Sequence, residues 1–408
     1  MIKKIDISSL MIGMYVHDLR CNWMKHPFAV NKFEIRNKMQ IGAIRNAGIR
    51  ELYIDTDKGI DTEKHDAAYE VKKQSAEKVL LDSETKLKST RTKSLADELV
   101  YASKVKKEAT RVVADIMEDA RLGRQIELER VNPVVEGIVS SVMRNEDALL
   151  GLTRIRKMGK YTFEHSVSVS VLLTAFAKHL NFPEEDLLQI GIGGLLHDIG
   201  KIKTPQNILN KPGKLTDQEF AIMKKHVVYS KEILETVPGI SDIILNIATE
   251  NHERLDGTGY LDGKRGDEIS IYGQMAAIVD VYDALTADRV YREGMPPNTA
   301  LVKLVTWGSS HFNQELLQNF IHCVGIYPIG SVVSLSDARL AVVVESGKKD
   351  LLSPKIRIIF DSIKRQFLTP QDVDLSVRQK GEKITIVSAV DPAKWRISPD
   401  DYLDHRTF

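Results

Sequence analysis

The sequence predicts a mostly α-helical protein, with a small α+β domain at residues 1–60 and a β-rich extension at residues 331–408. Three patterns carry this expectation. From about residue 98 to about residue 325, apolar residues recur at three- and four-residue spacing, the period of helices with one buried face. Before that stretch, short alternating segments are broken by turn residues; after it, the apolar period falls to two. At 408 residues the chain also exceeds the usual size of a single hydrophobic core, so several domains are expected.

In the first domain, IDISSL and MIGMYVHDL alternate like short strands. QIGAIRNAGIRELYIDTDKG then reads as a short helix, a turn at Gly48 and a strand over Glu51–Ile54. The aromatics Tyr15, Trp23 and Phe28 read as core. Residues 61–125 are rich in Lys, Asp, Glu, Ser and Thr, and read as a charged, partly helical linker. Its basic cluster, Lys86, Lys88, Arg91 and Lys93, has no interleaved aromatics and is read as a solvated face. The helical domain spans 126–330, with Pro133 expected to open a fresh helix behind an Asn132 cap. SVSVSVLLTAFAKHL, EEDLLQIGIGGLLHDIG, DQEFAIMKKHVVYSKEILETV, ISDIILNIATENHE and YGQMAAIVDVYDALTADRVYR continue it. SVVSLS, LAVVVES, KIRIIFD and KITIVSAV are the strands expected in the extension.

Charge excludes some function classes. Lys+Arg (57) and Asp+Glu (56) nearly balance, which argues against a DNA or RNA binder, whose affinity needs a basic surplus. A small phosphate ligand needs only a few local cations and stays open. The two cysteines, Cys21 and Cys323, are far apart and form no CxxC spacing, so reduced thiols are expected. No run of 18 apolar residues occurs, and the first residues lack a signal peptide's continuous apolar stretch. A cytoplasmic protein without membrane contact is expected.

Chemistry concentrates in scattered His and Asp residues of the helical block. His165 lies near a helix start, His197 and Asp198 are adjacent in GLLHDIGK, His226 lies in MKKHVVYSKEIL and His252 in ATENHERLDGTGY. Any one of them alone reads as a core histidine. Asp280 sits in the apolar run MAAIVDVYDAL, where a buried carboxylate needs a cation, a metal or several donors. Neighbours on a helix point about 100° apart, but at a helix end, which Gly200 marks, His197 and Asp198 can converge on one site. Imidazole with carboxylate suits Fe, Mn, Ni or Zn. Lys201, Arg289 and Arg292 add positive charge, and ERLDGTGYLDG, with Tyr260, reads as an exposed, sharply turned loop.

HDIGK at 197–201, HERLDGTGY at 252–260 and DVYDALTADRVYR at 280–292 together resemble the HD-GYP family of HD phosphohydrolases, over roughly residues 130–330. GMYVHDLRCNWMKHPF and GIRELYIDTDKG resemble the small domain often found ahead of HD-GYP domains. The resemblance implies an all-helical HD-type catalytic domain, a centre of two or three metals, and hydrolysis of cyclic di-GMP to pGpG or GMP. By motif, the metal ligands are His165, His197, Asp198, His226, His252 and Asp280, with Asp198 bridging two ions. The same resemblance implies Asp198 and Lys201 as catalytic residues, and Lys201, Tyr260, Arg289 and Arg292 as those that would hold the substrate. Two ions are expected, Fe or Mn ahead of Ni or Zn, in a hydrolysis without a covalent nucleophile. The N-terminal domain is expected to regulate or to dimerise the protein.

Three positions depart from the family pattern. Its paired histidines are Asn251-His252 here, which makes Asn251 an uncertain ligand; the Pro of GYP is Leu261, expected to loosen the loop; and Tyr161 stands where three-metal members have Glu. These departures keep alive a weak or inactive cyclic-dinucleotide sensor, and another cyclic dinucleotide as substrate. A general HD phosphohydrolase is the remaining rival, opposed by the GYP-like loop and ADRVYR.

Overall fold

The computed structural model describes residues 2–11, 13–19, 32–35, 38–46, 48–59, 91–155, 161–288, 294–347, 350–377 and 384–403. They fall into two compact units, Met1–Glu77 and Lys78–Phe408.

In the first unit, β1 (Ile2–Asp6), β2 (Tyr15–Asp18), β3 (Phe33–Glu34) and β4 (Glu51–Asp55) form one antiparallel sheet in the order β1-β4-β2-β3. Helix α1 (Lys38–Asn46) precedes Gly48, whose φ of 75° turns the chain into β4. Val16, Ile35, Ile44, Leu52 and Ile54 are its buried core. Trp23, Phe28 and Cys21 lie outside the described residues.

The second unit opens with α2 (Leu95–Arg121), inside the segment whose composition reads as a linker. Ala102, Ala109, Val112, Val113 and Ile116 recur on one face and are buried, and α2 packs along α3 (Leu128–Arg154). Pro133 does not open α3, which starts at Leu128, but lies inside it at the sixth position, where its missing N–H forgoes the bond to the Glu129 carbonyl. The chain then kinks at Asn145, where φ −164° and ψ 100° leave the helical region. Arg91 fills the kink, pairing with Glu146 at 3.0 Å and Asp147 at 2.9 Å.

Helix α4 (Tyr161–His179) is the centre of the unit. Val167, Val169, Val171, Leu173 and Phe176 are buried on successive faces, as a helix surrounded by helices requires. It packs against α3, α5 (Glu184–Leu196) and α9 (Ile271–Thr286). Around them lie α6 (Gln206–Leu209), α7 (Asp217–Leu234), α8 (Asp242–Glu250), α10 (Pro297–Trp307) and α11 (Gln314–Val324). Among the described residues no helix is long and apolar enough to cross a membrane, and Cys323 carries no disulfide.

The extension is a five-stranded antiparallel sheet in the order β8-β7-β6-β5-β9. Its strands are β5 (Val332–Leu335), β6 (Arg339–Glu345), β7 (Lys355–Asp361), β8 (Gln366–Asp374) and β9 (Ile386–Ala389). Leu340, Val342 and Val344 bury one face while Ala341 and Val343 bury the other, the two-residue period seen in the sequence. Strand β8 is absent from the sequence-based list because it is polar and contains Pro370. It is an edge strand, where a missing N–H costs no ladder bond, and Arg357 holds it through Asp372 at 2.6 and 3.0 Å.

Candidate metal centre

Three helices (α4, α7 and α9) and the ends of two more (α5 and α8) deliver the six His and Asp side chains to one place. Helix α5 stops at Leu196. His197 keeps helical angles, whereas Asp198 (φ −100°, ψ 13°) leaves them and starts a tight 3-10 turn, Ile199–Lys203. That break lets adjacent residues face a common centre. The turn lies flat on α7, since a Cβ at Gly200 would overlap the carbonyl oxygen of His226 and the amide nitrogen of Ser230. Ser230 stitches the contact: its hydroxyl accepts from Gly200 N and donates to the His197 carbonyl, both at 2.9 Å. Helix α7, started by a Thr216–Glu219 capping box, carries His226 on the same face.

The donor atoms form two groups. One ligand atom each of His165, His197 and Asp280 lies within 4.8 Å of the others, and the same holds for Asp198, His226 and His252. Asp198 stands between the groups. Its Oδ2 is 3.5 Å from His165 Nε2 and 3.3 Å from His197 Nε2, while its Oδ1 is 3.4 Å from His226 Nε2. Asp280 Oδ1 is 3.1 Å from His165 Nε2, and Oδ2 is 3.9 Å from His252 Nδ1.

Burial works against both carboxylates as anions, yet the surrounding cations and imidazoles prevail. His197 and Lys201 hold Asp198 well below the usual carboxylate range, and His165 does the same to Asp280. Burial pushes His226 down and takes His252 to about 3, so both rings keep a lone pair for a metal. The rings are also oriented from behind. His197 Nδ1 donates to Gly194 O at 2.8 Å and His226 Nδ1 to Met223 O at 2.6 Å. At the centre, His197 Nε2 and Asp198 Oδ1 are buried without a hydrogen-bond partner. Buried polar atoms left unpaired are costly, and these are nitrogen and oxygen donors aimed at one another. The residues therefore fit divalent transition-metal ions.

The other expected site residues surround this core. Lys201 pairs with Asp198 Oδ2. Tyr260 stacks on His252, with centroids 4.8 Å apart, and burial raises its phenol. Phe220 meets the Tyr260 ring edge-on at 6.3 Å, and Lys224 Nζ lies over both rings at 5.4 and 5.6 Å. Asn251 ends α8, fully buried, and neither amide atom has a partner. Arg289 and Arg292 lie outside the described residues.

The glycine-rich loop is pinned despite Leu261. Glu253 Oε1 accepts from Asp262 N at 2.7 Å and Gly263 N at 3.0 Å, while Glu250 binds Lys264 at 2.6 Å and Ser270 N at 2.9 Å. A Cβ at Gly259 would reach within 2.5 Å of Glu253 Cα, so only glycine fits that fold-back. Sequence reasoning passed over Glu250 and Glu253, and also Ser168 and Asp283. Asp283 Oδ2 is 2.7 Å from His165 Nδ1, and its Oδ1 accepts from Ser168 Oγ at 2.5 Å. The available signal was spacing, with Asp283 three residues after Asp280 and Ser168 three after His165.

Comparison with known proteins places the chain among HD-domain proteins. An HD domain model matches residues 144–316, a domain of unknown function (DUF3391) matches 2–131, and a KOW domain associated with HD domains matches 332–397. The chain is 34% identical over 385 residues to a cyclic di-GMP phosphodiesterase of Pseudomonas aeruginosa, covering 94% of this chain and 91% of that one. It is 38% identical over 154 residues to 3′3′-cGAMP-specific phosphodiesterase 1 of Vibrio cholerae, covering 38% of this chain and 36% of that protein. An HDG"Y"P protein of Bdellovibrio bacteriovorus aligns in structure with a TM-score of 0.47 at 18% identity, over 78% of this chain and 98% of that one.

Proposed function

Because this chain belongs to the HD-GYP family of cyclic di-GMP phosphodiesterases, we propose that its centre holds two divalent transition-metal ions and hydrolyses cyclic di-GMP to pGpG or GMP. The enzyme is a metal-dependent cyclic dinucleotide phosphodiesterase. The observation that carries the two-ion proposal is the position of Asp198 between two histidine-containing groups, one oxygen toward each. His165, His197 and Asp280 would hold one ion, and His226 and His252 the other, with Asp198 bridging. Imidazole with carboxylate suits Fe, Mn, Ni or Zn.

When bound, the ions supply an acidified water as nucleophile and neutralise charge on the phosphoryl oxygens. The chain's own residues do the rest. Lys201, beside Asp198, extends a positive charge to the phosphate and strengthens its contact as charge grows in the transition state. Tyr260, with Phe220 and Lys224, forms an aromatic and cationic cluster beside His252, suited to a nucleobase and a phosphate. By motif alone, Arg289 and Arg292 would contribute to phosphate and guanine binding. Lys201→Ala is expected to lower kcat by about 100-fold, the scale of one lost transition-state contact, with metal content retained. Steady-state kinetics beside elemental analysis check this.

Cyclic di-GMP is preferred over 3′3′-cGAMP because the similarity to a cyclic di-GMP enzyme runs nearly end to end, whereas that to a cGAMP enzyme covers 38% of the chain. The test is turnover by anaerobically purified protein with either dinucleotide, before and after chelation. Cyclic di-GMP should be consumed faster, activity should vanish on chelation, and Fe(II) or Mn(II) should restore it. Faster cGAMP turnover would reassign the substrate.

The second reading, a sensor that binds without turnover, is favoured by one observation, the buried and unpartnered Asn251 amide. Asn251→His distinguishes the two. An already competent enzyme should change less than about threefold in kcat/KM, under 1 kcal/mol. A gain above about tenfold would mean that the native centre is degenerate.

A further inference from the structure

We propose that Asp283 is a positioning residue of the metal centre, holding His165 so that its Nε2 lone pair faces the ion. The proposal rests on the metal-binding reading above. Two i, i+3 pairs meet here. On α4, His165 and Ser168 share a face; on α9, Asp280 and Asp283 share a face. The two carboxylates grip opposite ends of one imidazole, with Asp280 Oδ1 3.1 Å from Nε2 and Asp283 Oδ2 2.7 Å from Nδ1.

An ionised carboxylate only accepts, so the proton between Asp283 and His165 sits on Nδ1, and Nε2 is left as the free donor to a metal. Ser168 gives the second Asp283 oxygen its hydrogen bond, which a carboxylate only 2% exposed needs. His197 and His226 differ. Their Nδ1 atoms donate to carbonyls three residues back on their own backbone. At His165 that role is taken by a residue 118 positions away in sequence. A carboxylate behind a ligating imidazole fixes the ring and raises its basicity, and losing one typically lowers metal affinity about 10–100-fold.

The test is Co(II) titration of the chelator-stripped full chain, followed by visible absorption, for wild type, Asp283→Asn, Asp283→Ala, Asp283→Glu and Ser168→Ala, with thermal melts of the stripped proteins. Wild type should bind two equivalents. Asp283→Asn and Asp283→Ala should weaken one equivalent about 10–100-fold and spare the other, held by Asp198, His226 and His252, with Asp283→Glu partly restoring it. Ser168→Ala should weaken the same equivalent by less. Equal weakening of both equivalents, with a matching fall in the stripped protein's melting temperature, would make Asp283 merely structural and overturn the proposal. Wild-type affinity in Asp283→Asn and Asp283→Ala would overturn it as well. If wild type itself bound no Co(II), the metal-centre reading would fail first.

Discussion

Asp198→Ala should lower cyclic di-GMP turnover at least about 1,000-fold, about 4 kcal/mol of transition-state stabilisation. Asp198 faces both donor groups at 3.3–3.5 Å, with Oδ2 toward His165 and His197 and Oδ1 toward His226, whereas Asp280 comes no nearer than 3.9 Å to His252. Loss of Asp198 leaves buried imidazoles converging on Asp280 alone and frees Lys201 from its ion pair. Bound metal should drop below two equivalents. Asp198→Asn keeps the volume and one acceptor oxygen, and should retain more metal while remaining nearly inactive. Turnover and elemental analysis on both variants check this; an Asp198→Ala protein within tenfold of wild type would refute the bridging role.

Gly200→Ala should damage both stability and activity. The added Cβ would collide with the His226 carbonyl oxygen and the Ser230 amide nitrogen, and lies 2.9 Å from Ser230 Oγ. Backbone atoms cannot rotate aside, so the 3-10 turn and α7 must separate. Overpacking of this kind costs about 3 kcal/mol, or roughly 5 °C or more in melting temperature for a unit of this size. The same separation moves His226 away from His197 and Asp198, so activity should fall further than stability. A variant melting like wild type, with intact turnover, would show that this contact does not set the site.

The HDIGK end of α5 was readable in the sequence because Gly200 marks a helix stop and adjacent ligands are useful only at such a stop. Asp280 was readable because an acid among Ala, Ile and Val must be buried. The convergence of His165, His226 and His252 was not readable from periodicity, since each belongs to a different helix and a lone histidine carries no pattern. The family motifs supplied it. Asp283 escaped because it stands beside a more conspicuous acid and its partner is 118 residues away. Strand β8 escaped because an edge strand need not alternate in hydrophobicity; α2 was legible as helical from about residue 98, through Val112, Val113 and Ile116 on its buried face, although its charged face gives the same stretch a linker's composition. The loosening expected from Leu261 overlooked the buried Glu253, which holds the loop through backbone amides.

The pair of ions is tested most directly by anomalous diffraction from crystals grown anaerobically with Mn(II). Two peaks about 3.5–4 Å apart are predicted, one against His165, His197 and Asp280, the other against His226 and His252, with an Asp198 oxygen on each. A single peak, or density away from Asp198, would contradict the bridged centre.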